Sequence, residues 1–271
     1  MRLDLHLHTT ASDGAWSPEA VVRGAAAGGL DVIAITDHDT SAAVEAAQAV
    51  ARELFVEVVP GIEVSSTFQG RDVHILGYFV DPGSKSIAGH STRAGLRRVE
   101  RMKEMIGLLV ELGIEVPYEA IERAAGPDRV VIGRPHLAQA LVAEGHVDSV
   151  YDAFDRLIGD DGPAFVPTHL LDPVGAVEVI IEGGGIPMWA HPPNDLVDTL
   201  LPELLEAGLR GLEVYRPRSR RSEVLRLESI CRDRGLLMSG GSDWHGPDGP
   251  PLGDFHVAAE EVEALLEAGG L

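Results

Sequence analysis

The sequence predicts an α/β fold of barrel type that carries a smaller helical insertion. Three observations support this prediction. Short apolar strands alternate with helices in the first and last thirds of the chain. Several of these strands are followed directly by His, Asp or Glu. The length of 271 residues suits one barrel-sized domain, or such a domain with a smaller one inserted.

The first strand is the segment around which the chain is organised. Leucine alternates with polar residues over residues 3–8, so the period of two places His6 and His8 on the same face. The following turn brings Asp13 close to the two histidines. A histidine pair of this kind is also common by chance, and recurrence of the pattern along the chain makes the case for a metal site.

The next elements repeat the pattern. Ser17 and Pro18 start a helix that ends near residues 28–29, and a buried strand over 31–36 leads into His38. A second helix covers about 41–54. A third strand over 56–59 is followed by Glu63. A fourth strand over 72–78 contains His74, and the pattern alone favours a core residue over a ligand at this position.

Between about residues 81 and 167 the strand pattern stops. Apolar residues recur at helical spacing up to Gly113, and further helices are expected over 118–124, 135–144 and 150–158. We predict a helical insertion over 83–165 that covers the site, with the barrel formed by 1–82 and 166–271. The arginines of the long helix are expected to form a solvated face. These are Arg93, Arg97, Arg98 and Arg101.

The alternation resumes after the insertion. A helix over 172–185 precedes a strand over 186–190 that ends at His191. A strand over 212–215 and a helix over 223–234 follow. The last strand, over 236–240, leads into Asp243 and His245, and a helix over 260–268 ends the pattern.

Composition limits the classes of partner. The 22 basic and 43 acidic side chains give a formal charge of −21, which disfavours long nucleic acid held in a basic groove. Cys231 is the only cysteine, so a thiolate zinc site and an intrachain disulfide are excluded. No apolar run approaches the length of a membrane span, and a cytoplasmic location is expected.

The polar residues at or beside strand ends form a set of candidate metal ligands, because the carboxyl ends of barrel strands meet at one mouth. Imidazole and carboxylate ligands suit Mn, Fe or Zn, and their number predicts two or three divalent ions. The candidates are His6, His8, Asp13, His38, Glu63, His74, His191, Asp243 and His245.

These motifs resemble the polymerase and histidinol phosphatase (PHP) family of metal-dependent phosphoesterases. The motifs are His6-Leu7-His8, Thr36-Asp37-His38, His191 after an apolar strand, and Ser242-Asp243-Trp244-His245. The resemblance extends over the whole chain. It implies a distorted seven-stranded β/α barrel with a cluster of three metal ions, and a reaction in which a metal-activated water attacks phosphorus without a protein nucleophile.

The resemblance also implies a ligand set for each ion. The first ion would take His6, His8, Glu63 and Asp243. Glu63 would bridge to a second ion held by His74 and His191, and Asp13, His38 and His245 would hold the third. His74 thus becomes a ligand through the resemblance, not through the pattern.

Within the family, the insertion resembles the branch that removes the 3'-phosphate from nucleoside 3',5'-bisphosphates, some members of which also trim short RNA from its 5' end. Arg134 directly precedes a predicted helix start, which favours an anion, so Arg134 is predicted to bind substrate phosphate, with a structural arginine at a helix start as the alternative. The resemblance of Gly133-Arg134-Pro135-His136 to this branch makes His136 a further substrate-binding candidate. Arg218 is a second candidate. The branch carries a histidine near Ser219, so this departure leaves the substrate open.

Alternatives remain at this stage. The same site could act on AMP, histidinol phosphate or a cyclic nucleotide, although the insertion argues against histidinol phosphate. A non-catalytic, metal-stabilised module that binds nucleotides is the alternative from a different class.

Overall fold

The computed structural model describes residues 1–127 and 129–271. Eight strands form one sheet in the order β7-β6-β5-β4-β3-β2-β1-β8. The backbone N–H of His8 donates to the carbonyl of Trp244 at 3.0 Å, which brings the edge of β1 next to the end of β7 and nearly closes the sheet into a barrel. The strands are β1 Arg2–Leu7, β2 Val32–Ile35, β3 Glu57–Phe68, β4 Arg71–Tyr78, β5 Ile186–Trp189, β6 Gly211–Tyr215, β7 Leu237–Gly240 and β8 Val257–Ala258.

The barrel is irregular because its strands do not all run in the same direction. β1, β2 and β3 are parallel, as are β5, β6 and β7, but β4 is antiparallel to both of its neighbours. The predicted α/β barrel with a helical insertion is confirmed. The sheet has eight strands, one more than the seven expected, because the two-residue β8 pairs antiparallel with β1.

Ten α-helices lie in the described part of the chain. They are α1 Pro18–Ala27, α2 Val44–Leu54, α3 Lys85–Glu111, α4 Tyr118–Ala125, α5 Arg134–Ala143, α6 Val150–Ala153, α7 Pro173–Glu182, α8 Val197–Glu206, α9 Arg221–Arg234 and α10 Ala259–Gly269. A π-helical turn, Phe154–Ile158, continues α6. None of the described helices is long and apolar enough to cross a membrane.

Local sequence accounts for most helix starts. The Ser17 side chain accepts a hydrogen bond from the N–H of Ala20 and begins α1, and Asp172 begins α7 by accepting from Gly175. The sequence analysis did not predict α8, which contains Pro202 in its interior. It also ended the third strand too early, because β3 continues through Glu63 to Phe68.

The insertion has an apolar core of its own. α3, α4, α5 and α6 bury a separate cluster that includes Met105, Leu109, Ile121, Leu137 and Leu141. The barrel interior is filled by other side chains from the strands, including Leu3, Leu5 and Met188. The insertion therefore packs as a layer on the barrel without contributing to its interior.

The prediction that the arginines of α3 form a solvated face is wrong for two of them. Arg98 is only 6% exposed, and its Nε and Nη2 both donate to Oδ2 of Asp39, at 2.8 and 2.6 Å. Arg101 is also buried and donates to Asp72 at 3.0 Å. Carboxylates of the barrel compensate the charges of Arg98 and Arg101. The residue pattern of one helix does not reveal such partners, because they lie in other parts of the chain.

Asp39 therefore joins the barrel to the insertion. Its second oxygen, Oδ1, lies 2.8 Å from Nε2 of His90 and also accepts a hydrogen bond from the backbone N–H of Ser65, so that the carboxylate has four hydrogen bonds in all. Burial by itself would raise the pKa of Asp39, but Arg98 and His90 hold the pKa far below its usual range. The carboxylate of Asp39 is therefore ionised in the folded protein, and its buried charge is stabilised by Arg98 and His90.

We predict that Arg98→Ala lowers the free energy of unfolding by about 3–5 kcal/mol, because it leaves Asp39 as a buried charge without its main partner. Urea unfolding at neutral pH measures this loss. Arg93→Ala is the matched control, since Arg93 is exposed on the same helix. The folded pKa of Asp39 is depressed, so its stabilising effect is present above about pH 4 and is lost as the pH falls. The difference in the free energy of unfolding between wild type and Arg98→Ala should therefore narrow on acidification. A loss below about 1 kcal/mol at neutral pH would contradict the role given to the Arg98–Asp39 ion pair.

Candidate metal centre

One buried carboxylate lies at the middle of the candidate site. Glu63, on β3, is fully buried and is surrounded by imidazoles. The Oε2 atom lies 3.3 Å from Nε2 of His6, 3.3 Å from Nε2 of His8 and 3.0 Å from Nδ1 of His38. The Oε1 atom lies 3.0 Å from both Nδ1 of His74 and Nε2 of His191. Five histidines from four segments of the chain thus converge on one side chain.

The candidate ligands form three overlapping sets whose ligand atoms lie within 4.8 Å of one another. His8 and Glu63 each belong to more than one set. His191 adds to the third set through its contact with Glu63. The sets are His6, His8, Glu63 and Asp243; His8, Asp13, His38 and His245; and His38, Glu63 and His74. The structure thus brings together all nine residues that the sequence analysis named as candidate ligands.

The antiparallel β4 explains the position of His74. His74 is opposite Ser65 in the register of β3 and β4 and lies in the first half of its strand. Because β4 runs opposite to its neighbours, its first half lies at the end of the barrel where β3 carries Glu63. A histidine inside an apolar strand therefore reaches the same mouth as histidines that follow parallel strands.

The turn after β1 places Asp13. The carboxylate of Asp37 accepts hydrogen bonds from the backbone N–H of Thr9 at 2.8 Å and from the hydroxyl of Ser12 at 2.6 Å. Gly14 is required in this turn, because a Cβ there would collide with the carbonyl of His8. Oδ1 of Asp13 lies 3.4 Å from Nε2 of His245 and 3.6 Å from Nδ1 of His8.

The residues present fit divalent metal ions. Several buried atoms of the cluster have no hydrogen-bond partner among the described residues: Nε2 of His6, both ring nitrogens of His8, Nδ1 of His38 and Oε2 of Glu63. Unpaired buried polar atoms are costly, and these atoms carry lone pairs that metals accept. Two ligands of one ion at about 2.1 Å lie about 3.0–3.4 Å apart, which is the spacing observed around Glu63.

The electrostatics of the cluster are strongly coupled. Burial opposes ionisation of Glu63, yet the surrounding histidines, His38 and His6 first, hold its pKa well below the usual range. Burial also opposes charge on His8, but the nearby carboxylates of Asp243 and Glu63 raise its pKa to about 10. Burial lowers the pKa of His38 to about 3. A concentrated negative charge among imidazoles favours bound cations at neutral pH.

A cleft of about 750 Å³ opens over the cluster. Asp13, Asp243 and His245 contribute to its wall on the barrel side, and Phe154 and Gln139 contribute from the insertion. The side chains of Asp243 and His245 are 41% and 36% exposed, so the cluster is accessible from this cleft.

The three residues predicted to bind substrate lie in different environments. Arg134 is the first residue of α5, donates to Asp160 at 2.7 Å, and has its guanidinium 5.0 Å from the ring centre of Phe165. Arg218 is exposed and lines the cleft. His136 is fully buried and its Nδ1 accepts the N–H of Gly133 at 3.0 Å, while its Nε2 has no partner among the described residues.

The sequence analysis missed Asp37, Asp39 and Arg98 as residues that hold the centre. Asp37 and Asp39 flank His38 directly, and both are fully buried. The sequence feature that could have indicated Asp37 and Asp39 is the run of ionisable residues Asp37-His38-Asp39 after an apolar strand. The sequence analysis used this run to name His38 as a candidate ligand and did not assign a role to its two neighbours.

The chain is similar to several proteins of known sequence. A family model described as the PHP domain matches residues 4–109. The chain is 37% identical over 262 residues to "Phosphoribosyl 1,2-cyclic phosphate 1,2-diphosphodiesterase" from Eggerthella lenta, covering 94% of this chain and 99% of that one. It is 32% identical to "5'-3' exoribonuclease" from Haemophilus influenzae, covering 92% and 91% of the two chains. It is 31% identical to "3',5'-nucleoside bisphosphate phosphatase" from Chromobacterium violaceum, covering 90% and 87%.

Solved structures show the same fold. An amidohydrolase from Chromobacterium violaceum with bound sulfate superposes with a TM-score of 0.89 at 28% identity, covering 99% of this chain and 97% of that one. A protein from Bifidobacterium adolescentis that is described as a metal-dependent phosphoesterase gives a TM-score of 0.86 at 29% identity, covering 99% and 96%. Together with the geometry of the centre, these similarities show that the chain belongs to the PHP family of metal-dependent phosphoesterases.

Proposed function

We propose that this phosphoesterase removes the 3'-phosphate of nucleoside 3',5'-bisphosphates. The observation that carries the proposal is the convergence of nine imidazole and carboxylate side chains at the floor of a cleft that Arg218 lines. The Chromobacterium violaceum relative, which bears the name of this activity, is similar over nine-tenths of the chain and supports the choice. The charge of −21 disfavours long nucleic acid, so a small nucleotide is the expected partner.

The ligand sets suggest how the cations would be held. His6, His8, Glu63 and Asp243 would bind one ion, and Glu63 would be shared with a second that His74 and His191 bind. Asp13, His38 and His245 would bind a third, and Mn, Fe and Zn all accept these donors. When bound, the ions would supply an activated water and withdraw charge from the phosphoryl oxygens.

The arginines would bind the phosphate that does not react. Arg134 begins α5, where free backbone N–H groups and the helix dipole favour an anion. Its contacts with Asp160 and Phe165 hold the guanidinium in place before substrate binds. Residues 83–165 would then serve as the cap that closes over the nucleotide, and Arg218, which lines the cleft, would supply a second phosphate contact.

A second candidate substrate is a cyclic phosphodiester of a sugar or nucleotide. The Eggerthella lenta relative is 37% identical over nearly the whole chain, and its name describes such a reaction. The same metal ligands would serve both reactions, because each breaks a phosphorus–oxygen bond. Both substrates would offer a second, non-reacting phosphate to Arg134, so the two candidates differ in the bond that is broken, a phosphomonoester in one and a cyclic phosphodiester in the other.

A substrate panel separates the candidates. We expect phosphate release from 3'-phosphoadenosine 5'-phosphate to exceed release from AMP, with defined Mn, Fe or Zn present. A phosphoribosyl cyclic phosphate and a short 5'-phosphorylated RNA complete the panel. Their products, a ring-opened monoester and free nucleotides, are followed by chromatography because neither reaction releases inorganic phosphate. Faster turnover of the cyclic diester would replace the bisphosphate proposal, and no hydrolysis of any compound would favour a binding module.

Removal of a proposed ligand should abolish turnover. We expect His191→Ala and Asp243→Ala each to reduce phosphate release to background and to lower the metal content of the purified protein, because each removes a direct ligand. His256→Ala and Asp155→Ala are matched controls on exposed residues outside the cluster. Full activity of both ligand variants with added Mn would contradict the proposed mechanism.

Removal of the proposed phosphate clamp should act on binding. We expect Arg134→Ala to raise KM for the bisphosphate about 10- to 100-fold, as for the loss of hydrogen bonds to a charged group, with a smaller change in kcat. Arg123→Ala is the matched control, because Arg123 is exposed and pairs only with Glu144 among the described residues. If KM in Arg134→Ala equals that of wild type, Arg134 is a structural residue of α5.

A further inference from the structure

A second buried carboxylate lies next to the metal centre and is absent from the lining of the cleft. Glu213, on β6, is fully buried. Its Oε1 accepts a hydrogen bond from Nδ1 of His6 at 2.8 Å, and its Oε2 accepts one from the backbone N–H of His191 at 2.7 Å. Glu213 is absent from the three ligand sets. It therefore contacts two candidate ligands without being one.

The contact with His6 fixes which ring nitrogen carries the proton. A carboxylate only accepts hydrogen bonds, so Nδ1 of His6 must be protonated to donate to Glu213. A neutral imidazole then has its lone pair on Nε2, and that atom lies 3.3 Å from Glu63 and 3.4 Å from Asp243. The Glu213 contact thus selects the tautomer that can bind a metal at the cluster.

The contact with His191 fixes a backbone conformation. His191 follows β5 with φ of 31°, which lies in the left-handed region that is unfavourable for a residue with a side chain. The hydrogen bond from its N–H to Glu213 holds the turn in this conformation. In this conformation Nε2 of His191 lies 3.0 Å from Oε1 of Glu63.

We propose that Glu213 is a positioning residue of the metal centre, which sets the tautomer of His6 and the backbone turn of His191 together. This inference rests on the ligand roles that the proposed function gives to His6 and His191. A carboxylate is needed because both of its oxygens must accept. Glutamine has the same shape but presents an NH₂ group, so it can satisfy only one of the two donors.

The test compares Glu213→Gln with Glu203→Gln, a matched change on the exposed face of α8. Zinc and manganese affinity is measured by chelator competition, with the fold of the metal-free proteins checked by circular dichroism. We expect metal affinity to fall about 10- to 100-fold in Glu213→Gln and to remain at the wild-type value in Glu203→Gln. Wild-type affinity in Glu213→Gln would overturn the inference while leaving the proposed function intact.

A second measurement uses the wild-type protein and does not depend on whether Glu213→Gln folds. NMR of the zinc-loaded wild-type protein with ¹⁵N-labelled histidine should show His6 as the Nδ1-protonated tautomer with a downfield exchangeable proton, assigned by its loss in His6→Gln. The downfield position of this proton is the discriminating signal, because it reports a hydrogen bond from Nδ1 to a carboxylate, and a Glu213 that did not accept from His6 would leave the proton without this shift. An Nε2-protonated His6 would overturn the inference, whereas a wild-type protein that binds no metal would overturn the proposed function itself.

Discussion

The structure depends on the burial of one ionised carboxylate among five imidazoles. Glu63 has no solvent exposure, and a buried carboxylate without compensating charge is strongly destabilising. Its neighbours come from β1, the segment after β2, β4 and the turn after β5. The barrel must therefore bring distant parts of the chain to one point. The antiparallel β4 is part of this requirement, because it delivers His74 from the first half of a strand.

Further carboxylates hold the segments that carry the ligands. Asp37 organises the turn that bears Asp13, Asp39 ties the segment after His38 to α3, and Glu213 joins His6 to His191. All three are fully buried and accept several hydrogen bonds each. The acidic residues of this chain thus act in two layers. In the proposed centre the inner layer would offer lone pairs to cations, and the outer layer accepts hydrogen bonds that fix the geometry of the inner one.

The sequence pattern located the candidate ligands better than the residues that support them. His6, His8, His38 and His191 follow or end apolar strands, and barrel geometry gathers strand ends at one mouth, so a one-dimensional pattern sufficed. His74 needed the family resemblance, since its strand reverses the pattern. Arg98 was placed on a solvated face because its partner, Asp39, is distant in sequence. α8 was missed because Pro202 lies inside it, and Glu213 because one acidic residue in a short apolar strand gives no indication of its partners.

The central claim is that these residues together hold divalent cations around Glu63. Crystals of the protein loaded with Mn, Fe or Zn, measured at and below the absorption edge of the metal, test it most directly. The account predicts anomalous peaks within about 2.0–2.3 Å of the ring nitrogens of His6, His8 and His191 and of the carboxylate of Glu63. Fully loaded crystals with no anomalous peak in contact with Glu63 would contradict it.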